Sequence, residues 1–126
     1  MSYCRILIID DDQDFTQVFK LTLEELAPYE VRVENSSPHA LTTVLEYHPD
    51  IIFLDIIMPE VEGPDVLYAL RNNTATRNIP IIILTATITK DEVLAQDGII
   101  GGHIFAAKPI TVPEVIDCIE KNKATS

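Results

Sequence analysis

The chain has 126 residues, is 47% hydrophobic and carries a net charge of −11. That size suits one domain with one true core. No run approaches the roughly 18 consecutive apolar residues of a membrane-spanning helix, and the acidic balance argues against a nucleic-acid surface, because phosphate backbones are bound by Lys and Arg. The opening "MSYCRILIIDDDQDF" lacks the pattern of a secretory signal, so a cytoplasmic protein without membrane contact is expected. Cys4 and Cys118 show no C-x-x-C spacing and read as free, partly buried thiols rather than zinc ligands. His39, His48 and His103 are scattered and read as structural or exposed.

"CRILII" (4–9) is a short, nearly continuous apolar run, the pattern of a strand buried on both faces of a parallel sheet. A helix follows. Phe15, Val18, Phe19, Thr22 and Leu26 recur at its period, a polar residue near 12–14 starts it, and Pro28 ends it. "YEVRVEN" (29–35) alternates like a half-exposed edge strand. Ser36, Ser37 and Pro38 read as a capped helix start, with Leu41, Val44, Leu45 and His48 as that helix's apolar stripe.

"DIIFL" (50–54) is another buried strand. Pro59 and Gly63 punctuate the loop after it, and Pro64 suits the first turn of a third helix carrying Val66, Leu67 and Leu70 up to about Arg71. "IPIIILTA" (79–86) is a buried strand, "TKDEVLAQ" (89–96) a short helix and "HIFAA" (103–107) a last buried strand. Val112, Val115, Ile116 and Ile119 mark a final amphipathic helix ending near 121–123. Three of the four glycines, Gly98, Gly101 and Gly102, fall within five residues, so the connection from the fourth helix into the last strand is expected to be irregular or mobile. Alternating strand and helix predicts a parallel sheet with helices on both faces.

In such sheets ligands bind beyond the carboxyl ends of the strands, where the strand order reverses. Asp10, Asp11 and Asp12 follow the first strand, Asp55 ends or follows the third, Thr85 ends the fourth and Lys108 follows the fifth. Singly these are ordinary: an Asp after a strand is usually a turn former or cap, a Thr a good strand residue, a Lys a solvated charge. Jointly they place acids, a hydroxyl and an ammonium at one edge. Clustered carboxylates repel until a cation intervenes, and an all-oxygen ligand set favours Mg²⁺, Mn²⁺ or Ca²⁺ over zinc. The cation and Lys108 would attract a phosphoryl group, Thr85 would add a hydrogen bond, and Asp55 is the carboxylate nucleophile.

"ILIIDDD", "IIFLDIIMPEVEG", "IIILTA" and "FAAKPI" resemble the four signatures of the receiver (CheY-like) domain of two-component response regulators. The resemblance covers about residues 5–121 of a single domain, 1–126. It implies a doubly wound, flavodoxin-like α/β fold with a five-stranded parallel sheet, order 2-1-3-4-5, flanked by five helices. It makes Asp55 the phospho-acceptor. Asp10 and Asp11, with Asp55 and the backbone carbonyl of Ile57, become the ligands of Mg²⁺ (or Mn²⁺). Lys108 binds the phosphoryl group, Thr85 is the switch hydroxyl and Phe105 the switch aromatic. Pro109 matches a residue often preceded by a cis peptide bond in the family.

The implied mechanism is phosphoryl transfer from a histidine kinase or histidine phosphotransfer protein to Asp55. The face made by the fourth helix, the fifth strand and the fifth helix then changes shape toward a downstream effector protein or an output domain. The activity is self-catalysed phosphorylation and dephosphorylation, not that of an ordinary enzyme, and the resemblance allows a phosphorylation-dependent homodimer. No output domain follows within the sequence, which suits a stand-alone receiver or a piece of a longer regulator.

Two departures bear on rate. The residue two beyond Asp55 is the apolar Ile57, which cannot hydrogen-bond an attacking water, and Ile57 and Thr87 are expected to flank the phosphoryl site and prolong the phosphoform. The switch aromatic is Phe, without a hydroxyl. "DGIIGGH" also departs from the family's usual turn. Among rivals, an aspartate-nucleophile phosphatase or dehalogenase wants a second acid at position 57, and a flavodoxin-like cofactor binder wants a phosphate-cradling loop where "DDDQD" stands. A degenerate receiver acting only as an interaction module would not need every catalytic position filled.

Overall fold

The computed structural model describes residues 4–26, 29–55, 63–85, 91, 99–100, 103–107 and 110–122. Strands β1 (Cys4–Ile9), β2 (Tyr29–Glu34), β3 (Ile51–Asp55), β4 (Ile81–Thr85), β5 (Ile99–Ile100) and β6 (His103–Ala107) form one sheet in the order β2-β1-β3-β4-β6-β5. β2, β1, β3, β4 and β6 pair in parallel, which is the doubly wound 2-1-3-4-5 arrangement. From β1 the chain winds outward to β2 and then returns to β3 on the other side, so the order reverses between β1 and β3.

The continuous apolar runs are explained by a core on both faces. Successive side chains of a strand point to opposite sides. Ile6, Ile8, Ile51, Phe53, Ile82 and Leu84 therefore pack with Phe19 and Leu23 of α1 (Gln13–Glu25) and with Val115 and Ile119 of the C-terminal helix (Val112–Asn122). Leu7, Ile9, Ile52, Leu54, Ile81 and Ile83 pack with Ala40 and Val44 of α2 (Ala40–Tyr47) and with Val66 and Leu70 of α3 (Gly63–Arg71). Thr111 and Glu114 start the C-terminal helix with reciprocal hydrogen bonds: the Thr111 N–H donates to Glu114 Oε1 at 3.0 Å, and the Glu114 N–H to Thr111 Oγ1 at 3.3 Å.

Several local expectations are corrected. α1 buries Thr16, Phe19 and Leu23, while Val18 is 61% exposed and Leu26 is an exposed C-cap. A face at 16, 19 and 23 fits the helical period as well as one at 15, 18 and 22, and Thr16 tolerates burial because its hydroxyl donates to the Asp12 carbonyl at 3.0 Å. The serines do not cap α2. A 3₁₀ turn, Ser37–His39, precedes it, and its N-cap is His39, which makes no side-chain capping bond. Its buried face is Ala40, Thr43 and Val44. Leu45 and His48 are exposed, and His48 ends the helix in a left-handed conformation (φ 54°).

Of the connection expected to be irregular or mobile, Gly98, Gly101 and Gly102 lie outside the described residues, and Ile99–Ile100 form a short strand. β5 pairs antiparallel with β6, Ile99 with Ile104 and Ile100 with His103. The short helix expected over 89–96 lies, but for Asp91, outside the described residues. Neither cysteine forms a disulfide, and both are partly buried, as expected. Among the described residues no helix is long and apolar enough to cross a membrane.

Candidate metal centre

Strand register builds the site. Ile9 is level with Leu54, so Asp10, one residue on, stands level with Asp55 at the end of β3. Asp55 pairs with Leu84, and Thr85 follows Leu84 at the end of β4. These ends lie at the reversal of strand order. Asp10 is fully buried, Asp55 is 8% exposed and Thr85 2% exposed, whereas Asp11 faces solvent. One carboxylate oxygen each from Asp10, Asp11 and Asp55 lies within 4.8 Å of the others.

The acidic turn is held by hydrogen bonds on several sides. The Asp10 N–H extends the sheet ladder to the Glu34 carbonyl at 3.1 Å. Asp10 Oδ1 accepts the Asp12 N–H at 3.0 Å. Asn35 Nδ2 donates to the Asp10 carbonyl at 2.7 Å and to Thr16 Oγ1 at 3.0 Å. Asp12 itself caps α1, accepting the Phe15 N–H at 3.0 Å. Of three consecutive acids, then, the third serves the helix and the first two join Asp55.

Three hard carboxylate oxygens at this spacing repel unless a cation lies among them, and they fit Mg²⁺ or Mn²⁺ far better than a soft-ligand metal. Thr85 lies on the face of Ile81 and Ile83 by strand alternation. Phe105, paired with Ile83, packs partly buried on that same face. The hydroxyl and the aromatic of the expected switch thus share one side of the sheet. Ile57, Thr87, Lys108 and Pro109 lie outside the described residues. Lys108 is the next residue after Ala107, which pairs with Thr85.

Asn35 and Thr16 are absent from the sequence-level reading. Asn35 reads as the last residue of the alternating stretch 29–35, and Thr16 stands outside the apolar stripe Phe15, Val18, Phe19, Thr22 and Leu26. The available signal was that Asn35 closes the strand beside the one that bears the acids.

The response regulator receiver domain family model matches residues 6–120. The polar-differentiation response regulator DivK of Brucella ovis is 35% identical over 116 residues, covering 91% of this chain and 92% of that protein. The N-terminal domain of a response regulator receiver protein from Methanoculleus marisnigri superposes with a TM-score of 0.67 at 30% identity, covering 97% and 98% of the two chains. The chemotaxis protein CheY4 of Vibrio cholerae shares the fold, with a TM-score of 0.79 at 23% identity over 96% of this chain and 99% of that one.

Proposed function

The chain belongs to the response regulator receiver family, and from that premise we propose that it is an active phospho-acceptor whose phosphorylated residue is Asp55. The observation that carries this is the convergence of Asp10, Asp11 and Asp55 at the reversal of strand order, with Thr85 on the adjoining strand. We read residues 1–126 as a single receiver unit acting in the cytoplasm. The donor is a phosphohistidine on a histidine kinase or phosphotransfer protein. The phosphorus–nitrogen bond breaks, a carboxylate oxygen of Asp55 takes the phosphoryl group, and the departing imidazole takes its proton from solvent.

Asp10, Asp11, Asp55 and the Ile57 carbonyl would hold Mg²⁺ or Mn²⁺, which supplies charge neutralisation for the transferring phosphoryl oxygens. Asp55 is the nucleophile. The Lys108 ammonium binds a phosphoryl oxygen, and the Thr85 hydroxyl donates to another once the new charge is present. With Thr85 drawn in, Phe105 gains room on the face it already shares with Ile83. The surface around β6 then changes toward an effector protein, an output domain or a second copy of the chain. Water later cleaves the acyl phosphate; Ile57 slows that step because its side chain cannot hydrogen-bond the attacking water, and Thr87 flanks the phosphoryl site with it.

Incubation with a small-molecule phosphodonor and Mg²⁺ tests the reading. Intact-mass measurement should show the gain of one phosphoryl group, absent in Asp55→Asn and absent with chelator. A gain that persists in Asp55→Asn sinks it.

A further inference from the structure

We propose that Asn35 is a positioning residue for the cation site: its side-chain amide fixes the Asp10–Asp11 peptide so that the two carboxylates meet the strict geometry of Mg²⁺ in preference to Ca²⁺. This rests on the reading of Asp10, Asp11 and Asp55 as cation ligands. Asn35 Nδ2 donates to the Asp10 carbonyl at 2.7 Å, and that carbonyl belongs to the peptide joining Asp10 to Asp11. Fixing a planar peptide fixes the backbone from which both side chains leave.

The same amide nitrogen donates to Thr16 Oγ1 at 3.0 Å. The Thr16 hydroxyl lies 3.0 Å from the Asp12 carbonyl and 3.1 Å from that of Gln13, where α1 begins. One amide therefore ties both ends of the acidic turn, the strand side at Asp10 and the helix side at Asp12–Gln13. Its own base is fixed. The neighbouring Glu34 accepts the Ser36 N–H at 3.0 Å through Oε2 and the Thr43 hydroxyl of α2 through Oε1. Asn35 thus stands on a segment anchored to α2 and reaches across to α1 and β1.

Mg²⁺ demands near-octahedral ligands at about 2.0–2.1 Å, whereas Ca²⁺ accepts irregular shells at about 2.3–2.6 Å. Slack in the Asp10–Asp11 peptide therefore weakens Mg²⁺ more than Ca²⁺. A residue needed only for stability would not change the ratio of the two affinities.

Isothermal titration of the full chain with Mg²⁺ and with Ca²⁺ tests this in the wild type, Asn35→Leu, Asp11→Asn and Tyr29→Phe. Asn35→Leu keeps the side chain's approximate shape and removes the donor. It should weaken Mg²⁺ about tenfold and Ca²⁺ no more than about twofold. Asn35→Ser, with a short donor that reaches less well, should fall between and serves alone if the leucine variant does not fold. Tyr29→Phe, at the opposite end of β2, should lower the melting temperature and leave the ratio unchanged. Equal weakening of both cations in the Asn35 variants, no weakening, or the same ratio change in Tyr29→Phe overturns the positioning role. If the wild type binds no Mg²⁺, or Asp11→Asn does not weaken it, the cation reading falls and this inference with it. Wild-type binding that Asp11→Asn weakens but Asn35 variants leave unaltered defeats this inference alone.

Discussion

The two ends of the sheet are built on opposite principles. Toward the amino ends of the strands, opposite charges and rings are brought together. Arg5 pairs with Glu30 at 3.4 Å and donates through Nη1 to the Tyr47 carbonyl at 2.9 Å. Arg5 and Arg32 lie 5.7 and 5.5 Å from the centre of the Tyr47 ring. The Tyr47 hydroxyl donates to the Glu30 carbonyl, and that of Tyr29 to Glu120 at 2.7 Å. At the carboxyl ends, like charges are brought together and held there by neutral groups, the Asn35 amide and the Thr16 hydroxyl. One end joins opposite charges; the other gathers carboxylates whose mutual repulsion a bound cation would relieve. A substitution should therefore change either stability or chemistry according to the end it touches.

The sharpest break is Asp55→Asn. It should abolish phosphoryl uptake entirely, as read by intact mass after incubation with a phosphodonor and Mg²⁺. At the other end, Tyr47→Ala should lower unfolding free energy by about 2 kcal/mol through lost ring contacts and the lost hydroxyl bond, with phosphorylation of the folded fraction unchanged; denaturant unfolding and intact mass together check this. Ile57→Asn should speed loss of the phosphoryl group several-fold without altering stability, as read by phosphate release; an unchanged decay removes the rate-tuning role.

The smallest effect is a pH dependence. Burial first, then the hydrogen bond and charge of Glu120, push the Tyr29 hydroxyl from 10.0 up to about 12. A group whose folded value lies above its unfolded value gives its full contribution below the unfolded one. Tyr29 should thus stabilise fully below pH 10 and lose that contribution between pH 10 and about 12. Tyr29→Phe should cost about 1 kcal/mol at neutral pH and flatten that stretch of the stability curve. An identical slope in the variant would assign the alkaline loss to other groups, such as Tyr47, whose hydroxyl is also pushed up by burial and by Glu30.

What could be read from the sequence follows from how each feature is encoded. β1, β3 and β4 are encoded by composition, since a strand buried on both faces needs apolar residues throughout, and the acids stand out where those runs stop. The buried faces of α1 and α2 are encoded less directly. Thr16 and Thr43 are buried because their hydroxyls find Asp12 and Glu34, contacts that exist only after folding. His48 reads as part of an amphipathic stripe, yet its left-handed backbone ends the helix. Asn35 is the extreme case, for its two acceptors lie 25 and 19 residues earlier in the chain. Spacing cannot reveal a partnership that the strand order creates.

The order of the strands also decides how the sheet meets its neighbours in a crowded solution. Among the described residues its two borders are β2 and β5. On β2 the exposed residues are the charged Glu30 and Arg32, alternating with buried Tyr29 and Val31. β5, described over Ile99–Ile100, runs against the direction of the strand it covers. A long, flat, apolar border would recruit strands from other chains and start cross-chain aggregation; the charges on β2 discourage this. Replacing Glu30 and Arg32 on the β2 border with β-branched residues should make the protein prone to aggregate, as read by light scattering on heating.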